Sequence, residues 1–264
     1  LHSASSYELV DLGLGTATAI NGSGQVVGNG PTGAWTHDGT NRTALVVTMR
    51  YLGDPTGPVF NLTVSEAHGI SDSGAIVGSQ VFGAGGPGQQ FRNALIYPGT
   101  GTATLLNTGQ IAYGVNGSGV VVGLGFRFDG TTESALPGGA PILYGVNNAG
   151  VAVGTVAGAT TQVPARFASG AWEALSLEAL PQIGGFPWTG EARAINSDGV
   201  IVGSVYLARQ RPLDPRYAFI HANGASTELG GLGGLQSIAL GLNDSGVVVG
   251  TSEDPARAWH AFVH

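Results

Sequence analysis

One nine-residue phrase, spelled six times, constrains this chain more than any other feature. "INGSGQVVG" at residues 20–28 returns as "ISDSGAIVG", "VNGSGVVVG", "VNNAGVAVG", "INSDGVIVG" and "LNDSGVVVG". The aligned polar residues are Asn21, Ser71, Asn116, Asn147, Asn196 and Asn243. Their spacings are 50, 45, 31, 49 and 47 residues, with 42 more from Asn243 through the C-terminus round to Asn21. A period of roughly 45 with strand-like content predicts propeller blades rather than a helical solenoid.

The phrase reads as a β-hairpin. Asn bonds its own backbone two residues on and Gly accepts positive φ, which fits a type I turn with a Gly bulge. Runs such as Val120-Val121-Val122 lack polar alternation, so both faces of that strand should be covered. A third strand follows each copy ("AWTHDG", "ALIYPG", "FRFDG", "ARFASG", "AFIHANG", "HAFVH"), then a more polar fourth, as in "ASTELGGLGG". The last repeat stops after "HAFVH", and the N-terminal "YELVDLGLG" reads like "TELGGLGG" at residues 227–234. Residues 6–14 are therefore expected to complete the last blade and close the ring, removing a sheet edge. The expected fold is all-β: a single domain over residues 1–264, a six-bladed β-propeller of four-stranded blades.

Composition narrows the function classes. The 264 residues include 46 Gly, no Cys and no Lys, with 10 Arg against 17 acidic side chains and a net charge of −7. Without a basic run, no nucleic-acid partner is expected. No run of 18 apolar residues exists, so no membrane insertion by a helix is expected. Absent cysteine excludes a disulfide framework and a thiolate site. The turns at residues 71–74 and 243–246 lack the acidic ladder of a calcium loop, and the histidines lack metal spacing. No metal, no cofactor and a monomeric state are expected. Three of the five Asn-x-Ser/Thr triplets lie inside the repeated phrase, where turn chemistry already accounts for them.

The chain resembles the HAF-repeat proteins, a family of extracellular repeat proteins. His260-Ala261-Phe262 matches the name motif, and Tyr217-Ala218-Phe219, Asn93-Ala94-Leu95 and Gly33-Ala34-Trp35 are degenerate copies. The recurring Ile/Val-Asn-x-x-Gly-x-x-Val-Gly is the more specific signal. The resemblance spans essentially the whole chain and implies a propeller-like fold and an extracellular or periplasmic home, to which the small polar start "LHSASS" is suited. It carries no catalytic residues with it.

In a propeller, the turns joining strands one and two, and three and four, lie on one face. The remaining connections lie on the other, and all the length variation falls there: residues 49–65, 79–92, 180–190 and 204–216. Segments this long are expected to be functional loops, and they elaborate blades 2 and 5, opposite each other in a ring of six. Arg50, Tyr51, Trp188, Tyr206, Arg209 and Arg211 on them, with Tyr144 deeper, are the expected ligand-binding residues.

The innermost strands add the rest. Two positions before each apolar anchor stand Thr18, His68, Tyr113, Tyr144, Arg193 and Leu240; four before stand Thr16, Glu66, Ile111, Ile142, Glu191 and Ile238. Strand alternation puts both sets on one side, at the end nearest the long loops. Glu66, His68, Tyr113, Glu191 and Arg193 are the candidate catalytic residues. Opposed carboxylates can act as acid and base in glycoside hydrolysis. Alternatively, Arg193 could neutralise a uronate carboxylate while His68 or Tyr113 moves a proton, as in an eliminative lyase. The same residues suit a non-catalytic site for a carbohydrate or other small polar ligand, or simply a wet channel, and the loops could instead dock another protein.

Overall fold

The computed structural model describes residues 11–51, 56, 60–83, 90–106, 110–138, 141–158, 161–180, 187–207 and 214–264. All regular structure among them is strand, arranged as a six-bladed β-propeller. Blade 1 runs Thr16–Ile20, Val26–Gly30, Gly33–His37 and Arg42–Ala44. Blade 3 covers Ala112–Val115 to Glu133–Ala135, blade 4 Ile142–Val146 to Ala171–Ala174, and blade 5 Trp188–Ile195 to Ala225–Glu228. Each is a simple up-and-down meander of four strands. At the turn end of the central channel, a space of about 230 Å³ is lined by residues of all six blades, including the anchors Ile20, Ile70, Val115, Val146, Ile195 and Leu242.

The repeated phrase is the hairpin between strands one and two of each blade, and its Asn serves two blades at once. The Asn147 Oδ1 accepts the Val151 amide at 3.0 Å, closing its own turn. Its Nδ2 donates to the Asn196 carbonyl of the next blade at 3.1 Å. The same inter-blade bond runs from Asn21 to Ser71, from Asn116 to Asn147 and from Asn196 to Asn243. Ser71 keeps the turn bond, taking the Ala75 amide on its Oγ, but a hydroxyl has no amide arm for the neighbour. A further bond alternates round the ring. The turn amides of Gly22, Gly117 and Ser197 donate to Asp72, Asn148 and Asp244 of the following blades.

The Val strands are buried on both faces, as the sequence predicts. Val121 and Val122 are fully buried, facing opposite inter-blade cores. Among the described residues there are five such cores, from the junction of blades 1 and 2 to that of blades 5 and 6.

Two expectations need correcting. Residues 49–65 do not form a long loop. Val46–Tyr51 and Phe60–Thr63 are the strands of a hairpin that extends blade 2 to six strands, the first of them parallel to Thr102–Leu105. The period-2 burial of Leu45, Val47 and Met49 against exposed Val46 makes this segment a strand. At its base, the Leu45 amide bonds the Ala34 carbonyl and Val64 bonds both Leu45 and Ala34, tying blade 1 to blade 2. The segments at 79–92 and 204–216 are likewise largely strand: Ile76–Gly83 and Gln90–Tyr97 lengthen blade 2, and Ile201–Leu207 and Arg216–Ala222 lengthen blade 5.

Blade 6 has three described strands, Ser237–Leu242, Val248–Glu253 and Trp259–Val263. Val249, Trp259 and Val263 remain exposed on it, as does Ile20 on blade 1. Residues 6–10 of the expected closing strand lie outside the described residues. Leu12 and Leu14 beyond them offer their carbonyls to the Arg42 guanidinium, at 2.8 and 2.7 Å.

Candidate functional site

Every inner strand breaks its pairing with strand two at the same place. The register slips between Ala17 and Ala19, Ala67 and Gly69, Ala112 and Gly114, Leu143 and Gly145, Ala192 and Ala194, and Ala239 and Gly241. The residue left over in each case is Thr18, His68, Tyr113, Tyr144, Arg193 or Leu240. A β-bulge takes its extra residue out of the ladder and re-aims the side chain. So the six variable positions reach the channel through a repeated bulge, and simple alternation is only part of the reason.

Small neighbours make the bulge possible. A Cβ on Gly78, the last residue of the phrase in blade 2, would stand 1.9 Å from the Glu66 carbonyl, and one on Gly154 would stand 1.8 Å from that of Ile142. Between blades, a Cβ on Gly69 or Gly114 would stand 2.7 Å from the carbonyl of Tyr113 or Tyr144. Glycine thus lets each bulge seat against its own blade and the preceding one.

Four of the six bulge residues touch in sequence. The His68 and Tyr113 rings lie 5.4 Å apart, as do those of Tyr113 and Tyr144. The Arg193 guanidinium lies over Tyr144 at 4.4 Å. On the remaining two blades stand Thr18, whose hydroxyl bonds the Ala67 carbonyl, and half-exposed Leu240.

Each end of this arc is held by the same three residue types at the same three positions. In blade 2, Glu66 receives the Ser79 hydroxyl at 2.8 Å and Arg92 on both oxygens, at 3.3 and 3.0 Å. In blade 5, the Glu191 Oε1 takes Arg216 Nη2 at 2.6 Å and Arg193 Nη2 at 2.8 Å, while Arg216 Nε donates to Ser204. Strand pairing puts Glu66 opposite Ser79 and Glu191 opposite Ser204. Arg92 and Arg216 both stand two residues before the Ala of the HAF-like motif. Ser79, Arg92 and Ser204 are not among the residues the sequence singles out. The shared signal is Val-Gly-Ser on strand two and Arg-x-Ala on strand three, found together only in blades 2 and 5.

The charges are unevenly matched. Three guanidinium groups, Arg92, Arg193 and Arg216, converge on two carboxylates, in a chain whose net charge is −7. Burial pushes the His68 imidazole below its ordinary range, against the pull of Glu66, whose Oε2 lies 3.5 Å from its Nε2. Burial and the Glu191 charge push the Tyr144 phenol up to about 12, despite Arg193 nearby. Tyr144 therefore stays a donor, and it hydrogen-bonds Glu191.

The other expected ligand contacts fare differently. Trp188 is buried in the core between blades 4 and 5, edge-on to Tyr217 at 5.6 Å, and so is packing rather than binding surface. Arg50 sits on the fifth strand out from the axis in blade 2, about 19 Å from the inner strand at the usual strand spacing. Tyr51 ends that same strand. Tyr206 does join the site, beneath the Arg216 guanidinium at 5.2 Å. Arg209 and Arg211 lie outside the described residues. A cleft of about 510 Å³ opens on the turn face between blades 1 and 2, but no charged side chain lines it. Convergent charge and aromatic faces make the channel mouth the better candidate.

No protein-family model and no curated protein sequence matches this chain. A solved structure of a BT0996 complex with RGII is similar over 94% of this chain and 85% of its own length, at 10% identity and a TM-score of 0.31. A likeness that remote leaves function to the site's own residues.

Proposed function

We propose that this propeller binds a carbohydrate or another small polar ligand in the cleft at the long-loop end of its channel, and does so outside the cytoplasm. One observation carries the reading: side chains from four successive blades touch without a break from Arg92 through His68, Tyr113, Tyr144 and Arg193 to Arg216. Aromatic faces set beside fixed polar groups are what a sugar-sized ligand needs for contact area and orientation. Binding is favoured over hydrolysis because both carboxylates are already spent on guanidinium donors. The resemblance to HAF-repeat proteins supports the extracytoplasmic placement, which fractionation of producing cells tests.

The test of the binding reading is a panel of soluble polysaccharides and oligosaccharides, scored for retention and for product release. The expected result is retention without turnover, weakened in Tyr144→Ala. Product release that disappears in Glu66→Gln/Glu191→Gln would make the protein an enzyme instead. No retention of any member would remove the carbohydrate reading.

A further inference from the structure

We propose that the ligand of this site is a uronic-acid sugar, seated with its carboxylate on Arg193 and a ring face against Tyr113 and Tyr144. The inference rests on the channel-mouth reading and adds the ligand's charge. Arg92 and Arg216 are each fixed by a carboxylate and a serine-anchored strand pair, but Arg193 spends only its Nη2, on an oxygen of Glu191 that Arg216 already occupies. Its Nε is buried with no hydrogen-bond partner, and its side chain is one-third exposed. An unpaired buried donor on a cation is costly unless something meets it.

Counting groups gives the same answer. Three arginines against Glu66 and Glu191 leave one positive charge over, and burial holds His68 toward its neutral form. A ligand with one carboxylate cancels that charge, and guanidinium is the side chain whose planar donors match a carboxylate. The guanidinium is itself held over the Tyr144 ring, so it is oriented before the ligand arrives. Tyr113 and Tyr144, tilted 53° to one another, offer ring faces beside it for the C–H face of a pyranose. Neutral sugars would find the aromatic faces but leave Arg193 unmet. A plain carboxylate would meet Arg193 but leave the tyrosines bare.

Calorimetry with matched pairs tests this: oligomers of galacturonate, glucuronate and mannuronate, each beside the same oligomer with its carboxyl reduced to the alcohol, and acetate as the bare carboxylate. At least one acid should bind at least about tenfold tighter than its reduced partner, a difference of about 1.4 kcal/mol. That preference should shrink as salt is raised. Arg193→Gln should abolish the preference, while Arg166→Gln, on the exposed pair with Glu173, should leave it intact. Thermal melting confirms that both variants stay folded. Equal binding of acid and reduced partner would overturn the uronate claim and leave the carbohydrate cleft standing. Acetate binding as tightly as the acids would overturn the sugar part, and no binding by any member would sink both readings together.

Discussion

The six inner strands end in two different ways, and the contrast explains how one chain can be both repetitive and specific. At the turn end, Asn21, Ser71, Asn116, Asn147 and Asn196 are buried and nearly uniform, because each turn must bond the next blade as well as itself. Toward the loop end, the bulge lifts one residue per strand out of the ladder, and the residues standing there differ from blade to blade. Identity is fixed where neighbouring blades share hydrogen bonds. It is free where a bulge has released the side chain from them.

The sharpest way to break this contrast is to fill the space under a bulge. Gly154→Val places a branched side chain where a Cβ alone would stand 1.8 Å from the Ile142 carbonyl, so strands one and two of blade 4 must separate. A loss of about 3 kcal/mol or more is expected from overpacking of this kind, read by denaturant unfolding. Val163→Ala, a neighbouring trim on strand three, should cost visibly less. If Gly154→Val unfolds like the parent protein, the bulge is not what the phrase's last glycine serves.

The next test is at the turn end. Asn147→Ala removes a donor to Asn196 and an acceptor for Val151 in a buried place, for about 2 kcal/mol. Asn147→Ser, the residue the chain itself uses at 71, should recover part of that through the turn bond alone. Neither should alter ligand retention, since neither touches the arc. A change in retention would mean that the two ends are coupled through the strand.

Much of this was legible in the sequence, and for a physical reason. Hydrogen-bonded turns demand particular atoms, so Asn and Gly recur and expose the six-fold period. Glu66, His68, Glu191 and Arg193 could be picked out because they depart from that repetition at one fixed offset. Ser79, Arg92 and Ser204 escaped notice because they lie on strands two and three, and only pairing brings them to Glu66 and Glu191. Trp188 misled for the opposite reason: beside a long segment it reads as exposed, yet strand one of blade 5 begins there and takes it into the core. The hairpin at 46–63 shows its alternation in Leu45, Val47 and Met49, but nothing local says that it joins the outer edge of blade 2.

The loop end has pH signatures that the turn end lacks. Tyr144, pushed up to about 12 by burial and Glu191, is raised above the ordinary phenol value of about 10. Its contribution to stability is therefore fully present below the ordinary value and lost as pH rises through the folded one. Tyrosinate absorbance in an alkaline titration should contain a late component that Tyr144→Phe lacks.

The smallest expected effect belongs to His68 and has the opposite sense. Burial lowers its folded pKa, Glu66 opposes that and Arg92 assists it, with the Tyr113 ring packed alongside. A depressed folded value means that the unfolded chain binds the proton first. The contribution of His68 is then complete above the ordinary imidazole value of about 6.5 and lost as pH falls through the lowered folded value. Between slightly alkaline and mildly acidic buffer, the parent protein should lose more stability than His68→Gln does. His221 is lowered in the same direction but is common to both proteins, so the difference between them isolates His68. Equal losses would mean that His68 is open enough to water to titrate as it does in the unfolded chain, and that the arc begins at Tyr113 rather than at blade 2.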